Sequence, residues 1–214
     1  MKVKYKNYLL ACLLLICGIT TLQAQDARSI LDNTSSKLRS AGGISAKFNV
    51  AMFKNKKAES NASGTIDISG KMVKMQTSAG TTWYNGKTRW VLQHGSDEAY
   101  ISYPTVEEQQ AMNPYGFLNL YKTGYKLSTK NVTYAGQPAY EVQMKAQNQR
   151  SSISEMLVTI SKTSHMPLCI RFKQSSRKWV RIQVNGVSVG HKWNESHFTF
   201  NQKDHPKVEV VDLR

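Results

Sequence analysis

The feature that most constrains this chain is a two-residue alternation of apolar and polar side chains, which recurs from residue 44 almost to the end. In the first segment Ile44, Ala46, Phe48, Val50 and Met52 hold the apolar positions. Successive side chains of a β-strand point to opposite faces, so this period predicts strands with one buried face. The segments are short, and most have no helical pattern between them, which favours antiparallel neighbours.

Turn residues divide the alternating segments into separate strands. Asn85-Gly86 is the strongest turn signal, because both residue types tolerate the positive φ of a type I′ turn, and it predicts a tight hairpin. We predict strands over 44–52, 64–68, 72–76, 83–84, 89–92, 100–103, 125–133, 139–145, 154–160, 168–174, 178–184 and 197–200. The chain is therefore expected to be mainly β.

Three segments have helical spacing instead. Apolar residues at intervals of three and four predict a helix over 26–41, ended by Gly42-Gly43. In mid-chain, 105–112 follows Pro104 with an acidic first turn, and 115–121 carries apolar residues at helical spacing. A long antiparallel sheet that curls without closing leaves a concave apolar face that needs a cover. We therefore predict an unclosed antiparallel β-barrel, a half-barrel, with a few α-helices as its lid.

The concave face of such a sheet can enclose either a packed core or a cavity, and the pattern alone leaves both open. The strands carry several methionines, whose unbranched side chains suit a space with changing contents. These are Met52, Met72, Met75, Met144 and Met156.

The N-terminus has the pattern of a secretory signal peptide. Lys2, Lys4 and Lys6 precede an apolar run over 8–22, and Ala24 offers a small residue for cleavage. The run is shorter than the about 20 apolar residues of a membrane span. We predict a signal peptide over 1–24 and one soluble, exported domain over 25–214. A lipoprotein anchor at Cys12 or Cys17 is the alternative.

The chain is strongly basic, with 29 Lys and Arg against 14 Asp and Glu and a formal charge of +15. The charges are scattered through alternating strands without a nucleic-acid-binding motif, so solvated outer faces explain them better than nucleic-acid binding. An acidic partner surface or anionic lipid headgroups would suit the charge of an exported protein.

The sequence contains no convincing catalytic or metal site. The five histidines lack zinc-protease spacing, and Cys169 lies in an apolar segment where a buried, inert thiol is expected. Glu107 and Glu108 are adjacent on a predicted helix and point in different directions, which is unsuited to an acid–base pair. We expect no enzyme activity, cofactor or metal.

Several segments, in order, carry a family resemblance. They are ILD at 30–32, ISAKF at 44–48, GTIDI at 64–68, MVKM at 72–75, WYNGKTRW at 83–90, NPYGFL at 113–118, FTF at 198–200 and VEVVDLR at 208–214. This set resembles the LolA family, the periplasmic carriers that take lipoproteins to the outer membrane. The ending is its most specific part.

The resemblance implies a periplasmic carrier that holds the acyl chains of lipoproteins in an apolar cavity and shuttles them from the inner to the outer membrane. The implied partners are an inner-membrane release transporter and an outer-membrane acceptor, with only transient membrane contact, no nucleic acid, and a monomeric carrier. A lipid-sensing interaction domain, or another lipid carrier on the same open barrel, is the alternative function.

The resemblance also implies the site residues. The cavity wall would comprise Ile44, Phe48, Val50, Ile66, Ile68, Val73, Met75 and Trp90, and the lid Ile30, Leu31, Phe117 and Leu118. The family often has an Arg-Pro before the 72–75 segment, whose Arg holds the lid shut. Here Ser69-Gly70-Lys71 stands there, so Lys71 is the candidate latch, although an ammonium lacks the planar fork of a guanidinium.

Overall fold

The computed structural model describes residues 24, 26–54, 57–105, 108–109, 112, 115–116, 120–174 and 178–214. The predicted signal peptide, except for residue 24, lies outside these residues, as do Phe117 and Leu118. Across the part of the chain so described, no helix has the length and hydropathy needed to cross a membrane.

A helix, α1, occupies residues 26–40, close to the predicted 26–41, and residues 108, 109, 112 and 120 are also helical. Twelve strands follow α1 along the chain. They are β1 Gly43–Lys54, β2 Lys57–Ser69, β3 Met72–Thr77, β4 Gly80–Tyr84, β5 Arg89–Gln93, β6 Glu98–Ser102, β7 Tyr125–Tyr134, β8 Gln137–Ala146, β9 Ile153–Ser161, β10 Pro167–Gln174, β11 Trp179–His191 and β12 Glu209–Asp212. Two short 3-10 turns lie between β11 and β12, at Glu195–Phe198 and Gln202–Asp204.

All twelve strands form one sheet, in the order β12-β6-β5-β4-β3-β2-β1-β11-β10-β9-β8-β7. Neighbouring strands are antiparallel except for β12, which runs parallel to β6. Among the described residues no ladder joins the edge strands β12 and β7, so the sheet does not close. The prediction of a mainly β, unclosed antiparallel barrel is confirmed.

The main hydrophobic core lies on one face of this sheet, which we call the inner face. It joins Leu31 and Leu38 of α1 to Ile44 of β1, Val73 of β3 and Val158 of β9. Strands from both halves of the sheet therefore meet in one cluster, which requires the sheet to curl around it. The helix covers the concave side, as the need to bury its apolar stripe demands.

A second, smaller core lies on the opposite, outer face. There Trp83, Ala99 and Phe200 are buried, and Trp90 packs against them. Trp83 and Trp90 are cross-strand partners and so point to the same side of the sheet. The chain after β11 supplies Phe200, whose ring meets that of Trp83 edge to face at 5.4 Å.

β4 and β5 form the predicted tight hairpin, with Tyr84 opposite Arg89, but the type of its turn differs from the prediction. Asn85 N–H donates to the Thr88 carbonyl at 3.2 Å, and Asn85 Oδ1 accepts the backbone N–H groups of Lys87 and Thr88 at 3.1 and 2.9 Å. Gly86 has φ +95°, whereas Asn85 does not have a positive φ. The prediction of a type I′ turn centred on Asn85-Gly86 is wrong. The Asn85 side chain accepts backbone hydrogen bonds, and the chain reverses at Gly86-Lys87 instead.

The strand predicted over 197–200 is also wrong. A 3-10 turn occupies Glu195–Phe198 and packs against β3. Trp193 stacks on His197 at 5.0 Å, and Phe198 is fully buried with its ring edge-to-face to Trp193 at 5.7 Å. Packing of these rings decides the local backbone here, and alternation in the sequence does not.

Candidate apolar binding pocket

An apolar pocket of about 170 Å³ opens on the inner face of the sheet. Its wall consists of aliphatic and aromatic side chains, together with one methionine from the sheet and one from the segment after β6. The lining residues are Ala46, Phe48, Val50, Ile66, Met75, Met112, Tyr115, Ile170, Ile182 and Val184. Such a wall has no charged group and selects for an apolar ligand.

One part of the floor is a cross-strand row from β1 to β3. Ala46 lies opposite Ile66, and Ile66 lies opposite Met75. Because directly opposed residues of an antiparallel pair point to the same face, all three reach the pocket together. Ala46 is the smallest of them and leaves room at the centre of the row.

A second row crosses from β1 to β10. Val50 lies opposite Ile182 of β11, and Ile182 lies opposite Ile170 of β10. The strands β1 and β11 are far apart in sequence but adjacent in the sheet. The pocket therefore exists only when this long-range pairing has formed.

Phe48 sits between the two rows and depends on a glycine beside it. Phe48 is opposite Gly64 in the ladder, and a Cβ on Gly64 would lie 2.9 Å from Phe48 Cζ and 2.2 Å from the Gln76 carbonyl oxygen. The ring therefore covers the space that any other side chain would fill at position 64. This contact fixes how far Phe48 projects into the pocket.

Two described residues between β6 and β7 cover the pocket. Met112 and Tyr115 line it from this side, opposite the sheet. Burial raises the pKa of the Tyr115 phenol to about 12, as expected for a hydroxyl removed from water. We call the described residues of this cover, 105, 108–109, 112, 115–116 and 120–121, the lid segment.

The lid segment begins with a reciprocal cap. Thr105 N–H donates to Glu108 Oε2 at 2.8 Å, and Glu108 N–H donates to Thr105 Oγ1 at 3.2 Å. This is the capping box of a helix start. Glu108 Oε1 also pairs with Arg89 Nη1 of β5 at 2.9 Å. The Thr105 N–H, and then Arg89, hold the pKa of the Glu108 carboxyl below its ordinary value.

The other end of the lid segment is fastened to α1. The hydroxyl of Tyr121 donates to Asp32 Oδ1, and the guanidinium of Arg28 lies 6.0 Å from the Tyr121 ring centroid. Tyr121 is almost fully buried. Burial and the nearby Asp32 carboxylate raise the pKa of its phenol to about 12. Tyr121 thus joins the lid segment to α1.

The structure brings half of the expected cavity wall to this pocket. Phe48, Val50, Ile66 and Met75 line it. Three further residues of the expected wall, Ile44, Ile68 and Val73, are buried in the adjoining core.

Trp90 lies elsewhere, on the outer face with Trp83. Side chains alternate along β4, so Tyr84 points to the inner core and its neighbour Trp83 points to the outer face. Trp90 is the cross-strand partner of Trp83 and therefore lies on the outer face as well. Trp90 is therefore not part of the wall of this pocket, contrary to the expectation from the sequence.

The expected lid residues of α1 lie in the cover. Leu31 is fully buried, and Ile30 packs against the same cluster. Lys71 is exposed at the turn between β2 and β3, and the described residues give its ammonium no hydrogen bond or ion pair. The guanidinium that does reach the lid segment is that of Arg89.

The pocket wall also contains residues that were not among the expected ones, and sequence patterns could have identified only some of them. Ala46 shares the alternation of Phe48, and Ile170 and Ile182 lie in segments predicted as strands. No local signal shows that these segments lie beside β1. Met112 belongs to a predicted helix, but its spacing does not show what that helix covers.

Two other kinds of site, a metal site and a reactive thiol, were considered in the described part of the chain. Within it, no group of three or more His, Cys, Asp or Glu side chains is placed to hold a metal ion. Cys169 is a free, buried thiol, and burial raises its pKa, which disfavours the reactive thiolate.

Comparison with solved structures gives the fold. An uncharacterized conserved protein from Thermus thermophilus superposes with a TM-score of 0.59 at 15% identity, covering 87% of this chain and 99% of that chain. A putative outer membrane lipoprotein-sorting protein domain from Vibrio parahaemolyticus gives 0.46 at 11% identity, covering 85% and 99%. A LolA superfamily protein from Nitrosomonas europaea gives 0.42 at 9% identity, covering 81% and 97%.

Sequence comparison gives the family. No curated protein sequence matches the chain. The sequence profile described as outer membrane lipoprotein carrier protein LolA matches residues 18–176, most of the chain. The resemblance noted in the sequence is thereby confirmed, and this protein belongs to the LolA family of outer membrane lipoprotein carriers.

Proposed function

We propose that this protein binds the acyl chains of lipoproteins in the inner-face pocket and carries them from the inner to the outer membrane. The observation that carries the proposal is an apolar pocket, floored by the sheet and covered by Met112 and Tyr115, in a member of the LolA family. Carriage transfers the acyl chains from one apolar environment to another. No covalent bond is made or broken, so the process needs no catalytic residue.

The need for such a pocket follows from the cost of exposing lipid to water. Each methylene contributes about 0.8 kcal/mol on burial, so one long acyl chain costs on the order of 10 kcal/mol to expose. A lipoprotein with several acyl chains therefore requires an apolar sleeve to cross an aqueous compartment.

The pocket as it stands is too small for that cargo. Its volume of about 170 Å³ is close to that of an engineered cavity that holds one benzene molecule, about 150 Å³. Loading an acyl chain therefore requires Met112 and Tyr115 to move off the sheet. Ile44, Ile68 and Val73 in the adjoining core would then extend the wall.

A carrier must also release its cargo, so the closed and loaded forms must be close in free energy. A small free-energy difference between these forms requires that the contacts holding the lid segment closed are weak. Its pair with Arg89 is partly exposed, with 44% of the Glu108 side chain accessible. Exposed ion pairs are weak and break readily.

The proposed export, oligomeric state and partners of the protein rest on its sequence. Residues 1–24 would direct export and be removed, leaving a soluble periplasmic domain over 25–214 that works as a monomer. Its partners would be acylated lipoproteins, a release transporter in the inner membrane and an acceptor in the outer membrane. N-terminal sequencing of the exported protein should begin at Gln25.

Mass spectrometry of the protein isolated from the periplasm tests the cargo. We expect acylated lipoproteins to copurify with the wild type. Free lipid alone, or a protein partner without lipid, would contradict lipoprotein carriage and favour a lipid-sensing or other lipid-carrier role.

A pair of variants tests the site. Phe48→Glu places a carboxylate in the pocket and should abolish loading, whereas Trp90→Glu makes an aromatic-to-glutamate change on the outer face and should leave loading intact. Circular dichroism checks that both variants fold. Equal loss of cargo in the two folded variants would contradict the assignment of the pocket.

A further inference from the structure

A polar groove of about 380 Å³ lies on the outer face of the sheet, opposite the acyl pocket. It crosses β11, β1 and β2 and reaches the loop after β3. Amide, hydroxyl and guanidinium groups dominate its wall. The side chains that line it from the outer face of the strands are Asn49, Ala51, Asn61, Ser63, Arg181 and Gln183.

The ladder explains the shape of the groove. Ala51 lies opposite Arg181 on one side and Asn61 on the other. Asn49, two residues earlier, lies between Gln183 and Ser63 in the same way. The short Ala51 side chain therefore forms a floor that longer polar side chains surround.

Arg181 carries an uncompensated charge at this groove. It lies directly opposite Arg171, and like charges in such a cross-strand pair repel. Arg171 pairs with Glu141, whose other oxygen takes Lys130 at 2.9 Å. The described residues give Arg181 no carboxylate partner.

The Arg181 guanidinium is also held in place without being satisfied. Its Cζ lies 5.1 Å from the centroid of the Phe53 ring, a cation–π contact that orients the guanidinium plane. Its Nε is shielded from solvent and has no hydrogen-bond acceptor among the described residues. The described residues give its two Nη groups no hydrogen bond or ion pair either, so these groups are the ones that an acceptor in the groove can bind.

Neighbouring groups add donors. Gln183 Nε2 donates to the Tyr134 hydroxyl at 3.0 Å, which fixes the orientation of the amide at the groove. Ser63 and Ser78 add hydroxyls, and Asn49 and Asn61 add amides. A guanidinium with hydroxyl and amide donors around a small concave floor matches the several oxygens of a phosphate group.

We propose that this groove is a phosphate-binding site, with Arg181 as the anchoring residue. The phosphate belongs either to free inorganic phosphate or to the headgroup of an anionic lipid. The groove and the acyl pocket are on opposite faces, so this inference does not depend on the proposed carrier function. The net charge of +15 favours either anion.

Binding of inorganic phosphate to the full-length protein at constant ionic strength tests the site, by calorimetry and by the thermal midpoint. Arg181→Gln should weaken binding at least about tenfold, which corresponds to about 1.4 kcal/mol. Arg150→Gln is the control, because Arg150 is exposed outside the groove and the change in charge is the same.

A second variant guards against misfolding of the first. Asn61→Asp places a carboxylate in the groove near Arg181 and should also abolish phosphate binding while the protein stays folded. Unchanged phosphate affinity in folded Arg181→Gln, or an equal loss in Arg150→Gln, would overturn the site.

Vesicles separate the two sources. Phosphatidylcholine vesicles with and without phosphatidylglycerol are compared for the wild type and Arg181→Gln. Binding that needs both phosphatidylglycerol and Arg181 assigns the site to lipid headgroups, whereas an Arg181-dependent response to inorganic phosphate alone assigns it to free phosphate. No Arg181-dependent response to either probe would overturn the proposal.

Discussion

Arg89 of β5 and Glu108 of the lid segment form an ion pair, with 2.9 Å between Nη1 and Oε1. The same carboxylate accepts the Thr105 N–H that begins the segment. One glutamate therefore both caps the lid segment and ties it to the sheet. Since the pair is partly exposed, it can hold the closed state without making opening costly.

Replacing Arg89 with Gln should loosen the lid segment while the capping box remains. We expect faster uptake of a fluorescent fatty acid, by about two- to fivefold, with little change in the thermal midpoint. Stopped-flow fluorescence measures the uptake. Lys87→Gln in the same hairpin is the control for charge, and an equal acceleration in that variant would contradict the role of the pair.

Glu108 should titrate below its ordinary pKa of 4.5, because the Thr105 N–H and Arg89 favour the carboxylate. A lowered pKa in the folded state means that the stabilising contribution is present above pH 4.5 and lost as pH falls below it. NMR titration of the Glu108 carboxyl carbon measures the midpoint. In Arg89→Gln the midpoint should rise but stay below 4.5, since the Thr105 N–H remains.

Tyr121→Phe should free the end of the lid segment from α1. Loss of the hydrogen bond to Asp32 should lower the free energy of unfolding by about 1 kcal/mol, because the exposed carboxylate regains water. Urea denaturation measures the change. Asp32→Asn keeps an acceptor in place and should cost less than Tyr121→Phe; a larger loss would contradict this explanation.

Alkaline pH should destabilise the wild type through the same tyrosine. The pKa of Tyr121 is raised from 10.0 to about 12, so the folded state favours the protonated phenol. Its contribution is present below pH 10.0 and is lost as pH rises toward 12. Tyr115, also at about 12, adds to this loss, so Tyr121→Phe should reduce the decline without removing it. Urea denaturation at a series of pH values measures it.

Gly64→Ala should damage the floor of the pocket. The new Cβ would lie 2.2 Å from the Gln76 carbonyl oxygen and 2.9 Å from Phe48 Cζ, so the ladder or the ring must shift. We expect a loss of about 1–3 kcal/mol in the free energy of unfolding, together with weaker fatty-acid binding. Gly186→Ala has open space around it and should change stability by less than about 0.5 kcal/mol.

Ala46→Leu and Ala51→Leu form a reciprocal pair across the sheet. Ala46→Leu fills the acyl pocket, so it should block fatty-acid binding and raise the free energy of unfolding by about 0.5–2 kcal/mol. Ala51→Leu fills the outer groove and should weaken phosphate binding while fatty-acid binding persists. Calorimetry with each ligand checks both, and a crossed result would contradict the assignment of the two sites.

Much of the strand pattern could be predicted, because alternation is a local property of a half-buried strand. It located β1, in which Phe48 is buried as expected, and it located β8. It failed at 197–200, where the rings of Trp193, His197 and Phe198 pack on one another and set the backbone. Aromatic packing of that kind depends on neighbours that a local pattern does not contain.

The site was only partly predictable for a related reason. Phe48, Ile66 and Met75 could be assigned to the pocket from the family resemblance, whereas Trp90 could not be placed by it. A shift of one residue along a strand moves a side chain to the other face, so a match of motifs does not fix which face a residue serves.

The sequence by itself determined that this chain forms antiparallel strands with one apolar face. Alternation of apolar and polar side chains depends only on neighbouring positions in the chain, so it is visible without knowing which strands pair. Only the tertiary structure decided that β11 lies beside β1, which brings Ile182 next to Val50 on the inner face and Arg181 next to Ala51 on the outer face. Pairing between strands that are distant in sequence depends on contacts across the folded sheet, and no local pattern specifies it.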